Sequence, residues 1–171
     1  LGSDAASEGI NKGIFREGVV IQMTWVGAPT IYYGDEAGVC GFTDPDNRRT
    51  YPWGEEDHSL LSFYREAISI RKENPVLTFG STVFLKLEYQ FLSYGRFSEK
   101  EQIIVVVNNG KEPIEVNIPV WRANVPREAV LERLMLTLEN GFSLQEKLYE
   151  VKEGNLYLKV PRLCSMILRR I

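Results

Sequence analysis

The run Gly27-Ala28-Pro29-Thr30-Ile31-Tyr32-Tyr33-Gly34-Asp35-Glu36-Ala37-Gly38 decides how this chain is read. Thr30 to Tyr33 is short, β-branched and aromatic, is bounded by Pro29 and Gly34, and shows no polar alternation. That pattern predicts a strand buried on both faces, as in a parallel sheet. Upstream, Ile14 to Val26 has helical length, with Ile14, Ile21 and Trp25 on one stripe and Val19, Val20 and Met23 widening it. Gly27 stands as a C-cap and Pro29 stops continuation. Residues 1–13 are small and polar and read as a loop. Downstream, 34–57 is a long loop, ordered by Phe42, Tyr51 and Trp53, and long loops in compact domains are commonly functional. Asp57 or Ser59 then caps a helix running to Asn74, with Leu60, Leu61, Tyr64, Ala67, Ile68 and Arg71 on one face and Pro75 ending it. Residues 14–74 thus read helix, buried strand, loop, helix, a piece of an α/β repeat.

The composition changes near Gly80. From there on, period-2 patterns and turn residues predict strands at 82–88, 90–97, 102–108, 113–118, 131–138, 147–151, 155–160 and 163–170. Gly110, Asn140-Gly141 and Gly154-Asn155 mark reversals between them. The stretch 131–138 also fits a helix, and the strand reading is preferred. Many short strands with a turn about every ten residues predict an antiparallel β-sandwich.

The chain has 171 residues, 20 Lys and Arg against 23 Asp and Glu, and a net charge of −3. A slightly acidic chain without a basic cluster is a poor partner for nucleic acid. No apolar run approaches the roughly 18 residues of a membrane helix. The two cysteines, Cys40 and Cys164, fit no metal or redox spacing and read as reduced, partly buried thiols. With no signal-peptide core, they point to the cytoplasm. The single histidine, His58, falls at a helix start and reads as an exposed first-turn residue. The chain opens on Leu1 rather than methionine, which suggests further sequence upstream.

The segment Gly27–Gly38, followed by Gly41-Phe42-Thr43-Asp44-Pro45-Asp46-Asn47-Arg48-Arg49 and Pro52-Trp53, resembles the last barrel strand and following loop of the α-amylase superfamily of glycoside hydrolases, glycoside hydrolase family 13. It is most similar to the neopullulanase/cyclomaltodextrinase-like branch. The helix ending Arg71-Lys72-Glu73-Asn74-Pro75-Val76-Leu77 resembles that family's eighth barrel helix, and the β-rich remainder resembles its C-terminal domain. The resemblance implies an α+β chain: residues 1–79 end a (β/α)8 barrel and carry the substrate-side loop 34–57, and 80–171 form an all-β sandwich. A complete (β/α)8 barrel takes about 250 residues, so only its end fits here.

In this reading Asp44 and Arg48, four apart, supply a charged pair able to share one sugar near the non-reducing end of an α-glucan. Trp53 is a stacking candidate. Sugar binding uses such charged groups for hydroxyls and aromatic faces for the apolar side of the ring. Leu1-Gly2-Ser3-Asp4 resembles the family's segment after the seventh strand. Aligned without a gap, Asp4 falls on the family's histidine and Ala5 on its aspartate. A one-residue deletion makes Asp4 the aspartate that stabilises the transition state. The nucleophile and the acid/base of a retaining glycosidase, about 5–5.5 Å apart, lie upstream of Leu1 by the same resemblance. Glu36 is therefore not read as the general acid.

The expected function is the C-terminal part of an α-glucan hydrolase of maltooligosaccharide-like substrates, inactive on its own. A non-catalytic glucan-binding module and a fragment of a glucan transferase are the alternatives. No cofactor is implied; calcium occurs in some members, and no residue cluster here commits to it. An isolated last barrel strand would expose its edges, which favours a strand-swapped oligomer and a poorly ordered 1–57.

Overall fold

The computed structural model describes residues 10–41 and 44–171. Two helices and a short third, α1 (Lys12–Thr24), α2 (His58–Glu73) and α3 (Val76–Phe79), precede nine strands. These are β1 (Ser81–Glu88), β2 (Phe91–Phe97), β3 (Gln102–Asn108), β4 (Ile114–Ile118), β5 (Ala129–Leu138), β6 (Gly141–Ser143), β7 (Leu148–Lys152), β8 (Asn155–Val160) and β9 (Cys164–Arg170).

Each helix starts where a side chain can satisfy its free N–H groups. The Asn11 side chain accepts from the Ile14 N–H at 3.1 Å. Asp57 accepts from Ser59 and Leu60, both at 3.1 Å, and also holds the Lys12 ammonium at 2.6 Å. The last carbonyls of α1 are gathered by Arg71 of α2, whose guanidinium donates to Met23, Trp25 and Gly27 oxygens at 2.6, 3.2 and 2.6 Å. A cation at a helix C-terminus is the favoured sign there.

The helices are where expected, and Val19, Val20, Met23, Leu60, Tyr64 and Ala67 are buried as read, but the centre of each buried face is shifted from the expected stripe. On α1 the buried residues include Val19, Val20 and Met23 together with Arg16, Glu17 and Thr24, whereas Ile14 is 45% exposed. On α2 they are Leu60, Phe63, Tyr64, Ala67 and Ile70, with Leu61 and Ile68 at the edges. The reason is that α1 is packed between α2 and the sheet, so the neighbours choose the face.

The expected strand at Thr30–Tyr33 is not formed: among the described residues no strand precedes β1. A strand buried on both faces needs a ladder partner on each side, and these residues have none. Instead the Gln22 amide donates to the Thr30 carbonyl at 2.6 Å. Tyr32 and Tyr33 stand about half exposed. Among the described residues of the expected poorly ordered segment, α1 belongs to a common core with α2 and the sheet.

All strand pairs are antiparallel, in the order β1-β2-β3-β9-β5-β7-β8-β4, with β6 added to β5. The predicted strands are found to within two residues, and 131–138 is indeed extended. The departure is β6, three residues long and too short to show a period. The two facing halves expected of a sandwich belong here to one continuous sheet, curled around a single interior. Leu85 of β1, Phe91 of β2, Val116 and Ile118 of β4 and Leu156 of β8 all meet in it. A 3₁₀ turn at Val120–Ala123 bridges the two ends, touching β1, β2, β3 and β8. Gly95 lets it approach, since a Cβ there would collide with the Ala123 methyl.

Side-chain alternation splits the strands between two cores. On β3, Ile104 and Val106 face the interior while Ile103, Val105 and Val107 face the helices. On β5, Leu131 and Met135 would share a face in a regular strand. The register shift between Arg133 and Met135 sends Leu131 inward and Met135 to the helices.

Candidate functional site

The loop 34–57 is built from tight turns. Gly34 has φ +88° and Gly38 φ +78°, values that favour glycine. The Val39 N–H donates to the Gly34 carbonyl at 2.9 Å, and the Gly34 N–H donates to the Glu36 carboxylate at 3.1 Å. Ala37, fully buried, accepts at its carbonyl from the Asp57 N–H at 3.0 Å, which ties the loop to the start of α2. Glu36 is thus part of the turn's framework. Asp35 is half-buried. Burial raises its pKa, as does the neighbouring Glu36 charge, against a lowering by a backbone hydrogen bond.

Asp44 and Arg48 do come together. Arg48 Nε donates to Asp44 Oδ1 at 2.9 Å and Nη2 to Oδ2 at 2.5 Å, a two-point pair across one 3₁₀ turn, Asp46–Arg48. The hydrogen bonds to Asp44 raise the Arg48 pKa. Both side chains remain more than half exposed. An exposed pair of this kind adds little stability.

A second pair holds the turn from the other side. The Arg49 guanidinium donates from Nη2 to Asp46 Oδ1 at 2.9 Å and from Nε to the same oxygen at 3.2 Å. The Tyr33 hydroxyl donates to the Arg49 carbonyl at 3.0 Å. These contacts were not legible beforehand. The Asp46 to Arg49 spacing and the Arg-Arg dipeptide were their only signal, and Tyr33 itself reads from sequence as packing. Tyr32 and Tyr33, Asp35, Cys40 and Asn47, with Phe15 behind them, line a cleft of about 330 Å³ beside this turn.

Trp53 is 83% exposed, and its ring neighbour is Tyr51, at 4.5 Å between centroids. Asp4 lies outside the described residues, as do Phe42 and Thr43 of the quoted motif. His58 is the exposed first residue of α2. Cys40 is half-buried and Cys164 buried, both with free thiols, and burial pushes the Cys164 thiol up to about 12. Among the described residues no group of three or more His, Cys, Asp or Glu side chains is arranged to hold a metal ion, and no helix is long and apolar enough to cross a membrane.

This curled sheet with its helices is a known arrangement. It superposes on the α-amylase of Geobacillus thermoleovorans, solved with acarbose, with TM-score 0.79 and 22% identity over 93% of this chain and 34% of that one. A debranching enzyme from Nostoc punctiforme gives TM-score 0.76 at 26% identity, over 98% of this chain and 34% of that one. The fold is thus that of a portion of the α-amylases. In sequence the chain is 35% identical to the amylopullulanase of Thermoanaerobacter thermohydrosulfuricus over 159 residues, 87% of this chain and 10% of the relative. It is 39% identical to neopullulanase 2 of Thermoactinomyces vulgaris over 116 residues, 66% of this chain and 20% of the relative. The cyclomaltodextrinase of Thermoanaerobacter pseudethanolicus is 44% identical over 96 residues, 55% of this chain and 17% of the relative. No protein-family model matches. The chain is homologous to part of the α-glucan-acting enzymes of glycoside hydrolase family 13. It spans about a tenth to a fifth of the length of these curated relatives.

Proposed function

We propose that these residues are the C-terminal part of a retaining α-glucan hydrolase. In this reading 1–79 close its (β/α)8 barrel and 80–171 form its C-terminal domain. The loop 34–57 faces the substrate. Asp44 and Arg48 bind adjacent hydroxyls of a glucose unit, the carboxylate accepting and the guanidinium donating. Trp53 offers a ring for the unit's apolar face, and Asp4 is retained as a candidate transition-state stabiliser. The nucleophile and acid/base belong to strands that are not among these 171 residues, so the chain alone binds glucan without cleaving it.

The observation that carries this reading is the Asp44–Arg48 pair. It is geometrically complete yet exposed, and an exposed pair adds little stability, as expected of groups kept for a ligand. The test is titration of the 171-residue protein with maltohexaose, followed by amide chemical shifts. Saturable shifts at 44–53, abolished by Asp44→Ala and by Arg48→Ala, are expected. Absence of shifts in the unsubstituted protein overturns the binding role. Turnover of a chromogenic maltoside by the purified chain overturns the assignment of the chemistry to other strands.

A further inference from the structure

The helices cover the outer face of β3, β9 and β5, but among the described residues nothing covers that of β7, β8 and β4. Its pattern is specific. Directly paired across β4 and β8 stand Glu115 with Lys159 and Asn117 with Tyr157. Lys159 Nζ lies 3.5 Å from the Glu115 carboxylate. The Asn117 amide donates to the Tyr157 hydroxyl at 3.1 Å. On β7, Lys152 Nζ lies 2.8 Å from Glu150. Tyr157 is 71% exposed, and the β4 and β8 residues form a shallow cleft of about 450 Å³.

Two features select a ligand class. Every charge named here has an opposite charge beside it, so the patch presents no net charge and gives no advantage to a polyanion or polycation. The Tyr157 ring is held at its hydroxyl while remaining open to solvent, with an amide, a carboxylate and an ammonium around it. A neutral sugar has the matching surface: a C–H face for the ring and hydroxyls for the polar groups.

We propose that the outer face of β4 and β8 is a second glucan contact, formed by residues other than those of loop 34–57. Tyr157 is its stacking ring, and Asn117, Glu115 and Lys159 supply its hydrogen bonds. That the sugar is an α-linked glucan rests on the function proposed above; the sugar-like chemistry rests on the patch itself.

The experiment is the amide-shift titration of the 171-residue protein with maltohexaose, with cellohexaose in parallel. Saturable shifts at 115–117 and 157–159 are expected, unaffected by Asp44→Ala. Tyr157→Ala should weaken this site by about tenfold, the worth of one stacking contact, with an unchanged melting temperature. Tyr157→Phe, which keeps the ring, should hold affinity within about threefold. Shifts at 44–53 without shifts at 157–159 overturn this site and leave the loop reading standing. Shifts at 157–159 alone do the reverse, and no shifts anywhere refute both. Equal binding of cellohexaose overturns the α-glucan assignment, and a Phe variant as weak as the Ala variant overturns the stacking role.

Discussion

Substitution of Glu17 by Gln gives the sharpest physical test of the fold. Glu17 lies on α1, only 2% exposed, where that helix meets the sheet. One carboxylate oxygen accepts from the Asn109 amide at 2.7 Å, and the other has no hydrogen-bond partner. Burial raises its pKa from the ordinary 4.5 to about 7, with the Asn109 hydrogen bond working in the opposite direction. Below pH 4.5 the folded and unfolded chains both keep the proton, and its contribution to stability is fully present. Between 4.5 and 7 the unfolded chain has released it and the folded chain has not, so stability falls as pH rises. Above 7 the loss is complete. A displacement of that size corresponds to about 3 kcal/mol at 1.36 kcal/mol per pKa unit. Glu17→Gln keeps the shape and removes the charge. Urea unfolding at pH 4.5 and pH 8 should show near-equal stability at the low pH and the Gln variant ahead by about 2–3 kcal/mol at the high pH. Comparing the variant with the parent subtracts the other carboxylates that titrate in this range. Equal stability of the two proteins at pH 8 would refute the claim that a buried, poorly solvated carboxylate sits at this junction.

Arg96 is fully buried and donates to the Thr24, Leu77 and Gly80 carbonyls at 2.8, 2.9 and 2.9 Å. Arg96→Met orphans two buried acceptors and a part-buried one and should cost about 3 kcal/mol or more, read as a lower urea midpoint. Gly95→Ala forces its methyl against Ala123 and should cost about 1–3 kcal/mol by the same measurement. A cost below a few tenths would show that the 3₁₀ turn can move aside. Tyr33→Phe removes the hydroxyl that holds the Arg49 carbonyl. It should weaken maltohexaose binding at the loop about threefold without altering the melting temperature. An unchanged affinity would separate Tyr33 from the Asp44–Arg48 turn.

Most of the sheet was legible because its signals are local. Period-2 alternation and turn residues mark β1 to β5 and β7 to β9 in the chain itself, and only β6, at three residues, is too short to read. What failed depends on neighbours. Thr30–Tyr33 has the composition of a buried strand, but a strand exists through its ladder, and no local property reveals whether partners are present. On α1, apolar residues occur on more than one side, so packing between α2 and the sheet, rather than sequence, decided that Val19, Val20 and Met23 go inward and Ile14 outward. At the candidate site the same division holds. Asp44 and Arg48 could be paired from their spacing on a turn. The Tyr33 to Arg49 contact spans sixteen positions and needed the fold to bring it together. Buried Arg16, Glu17 and Arg96 were invisible for a related reason: a charged residue reads as surface until a tertiary partner is known.

The three carbonyls held by Arg96 come from the end of α1, from α3 and from the residue just before β1, while Arg96 itself belongs to β2. One guanidinium therefore fastens the helical portion to the sheet across the point where the composition changes. On the same face, Ile103, Val105 and Val107 are covered by the helices. The helical and β portions should accordingly melt in a single transition. A protein trimmed to begin at Ser81 would bare an apolar stripe along β3 and leave Arg96 without its acceptors, so the boundary most visible in the sequence is a poor place to cut.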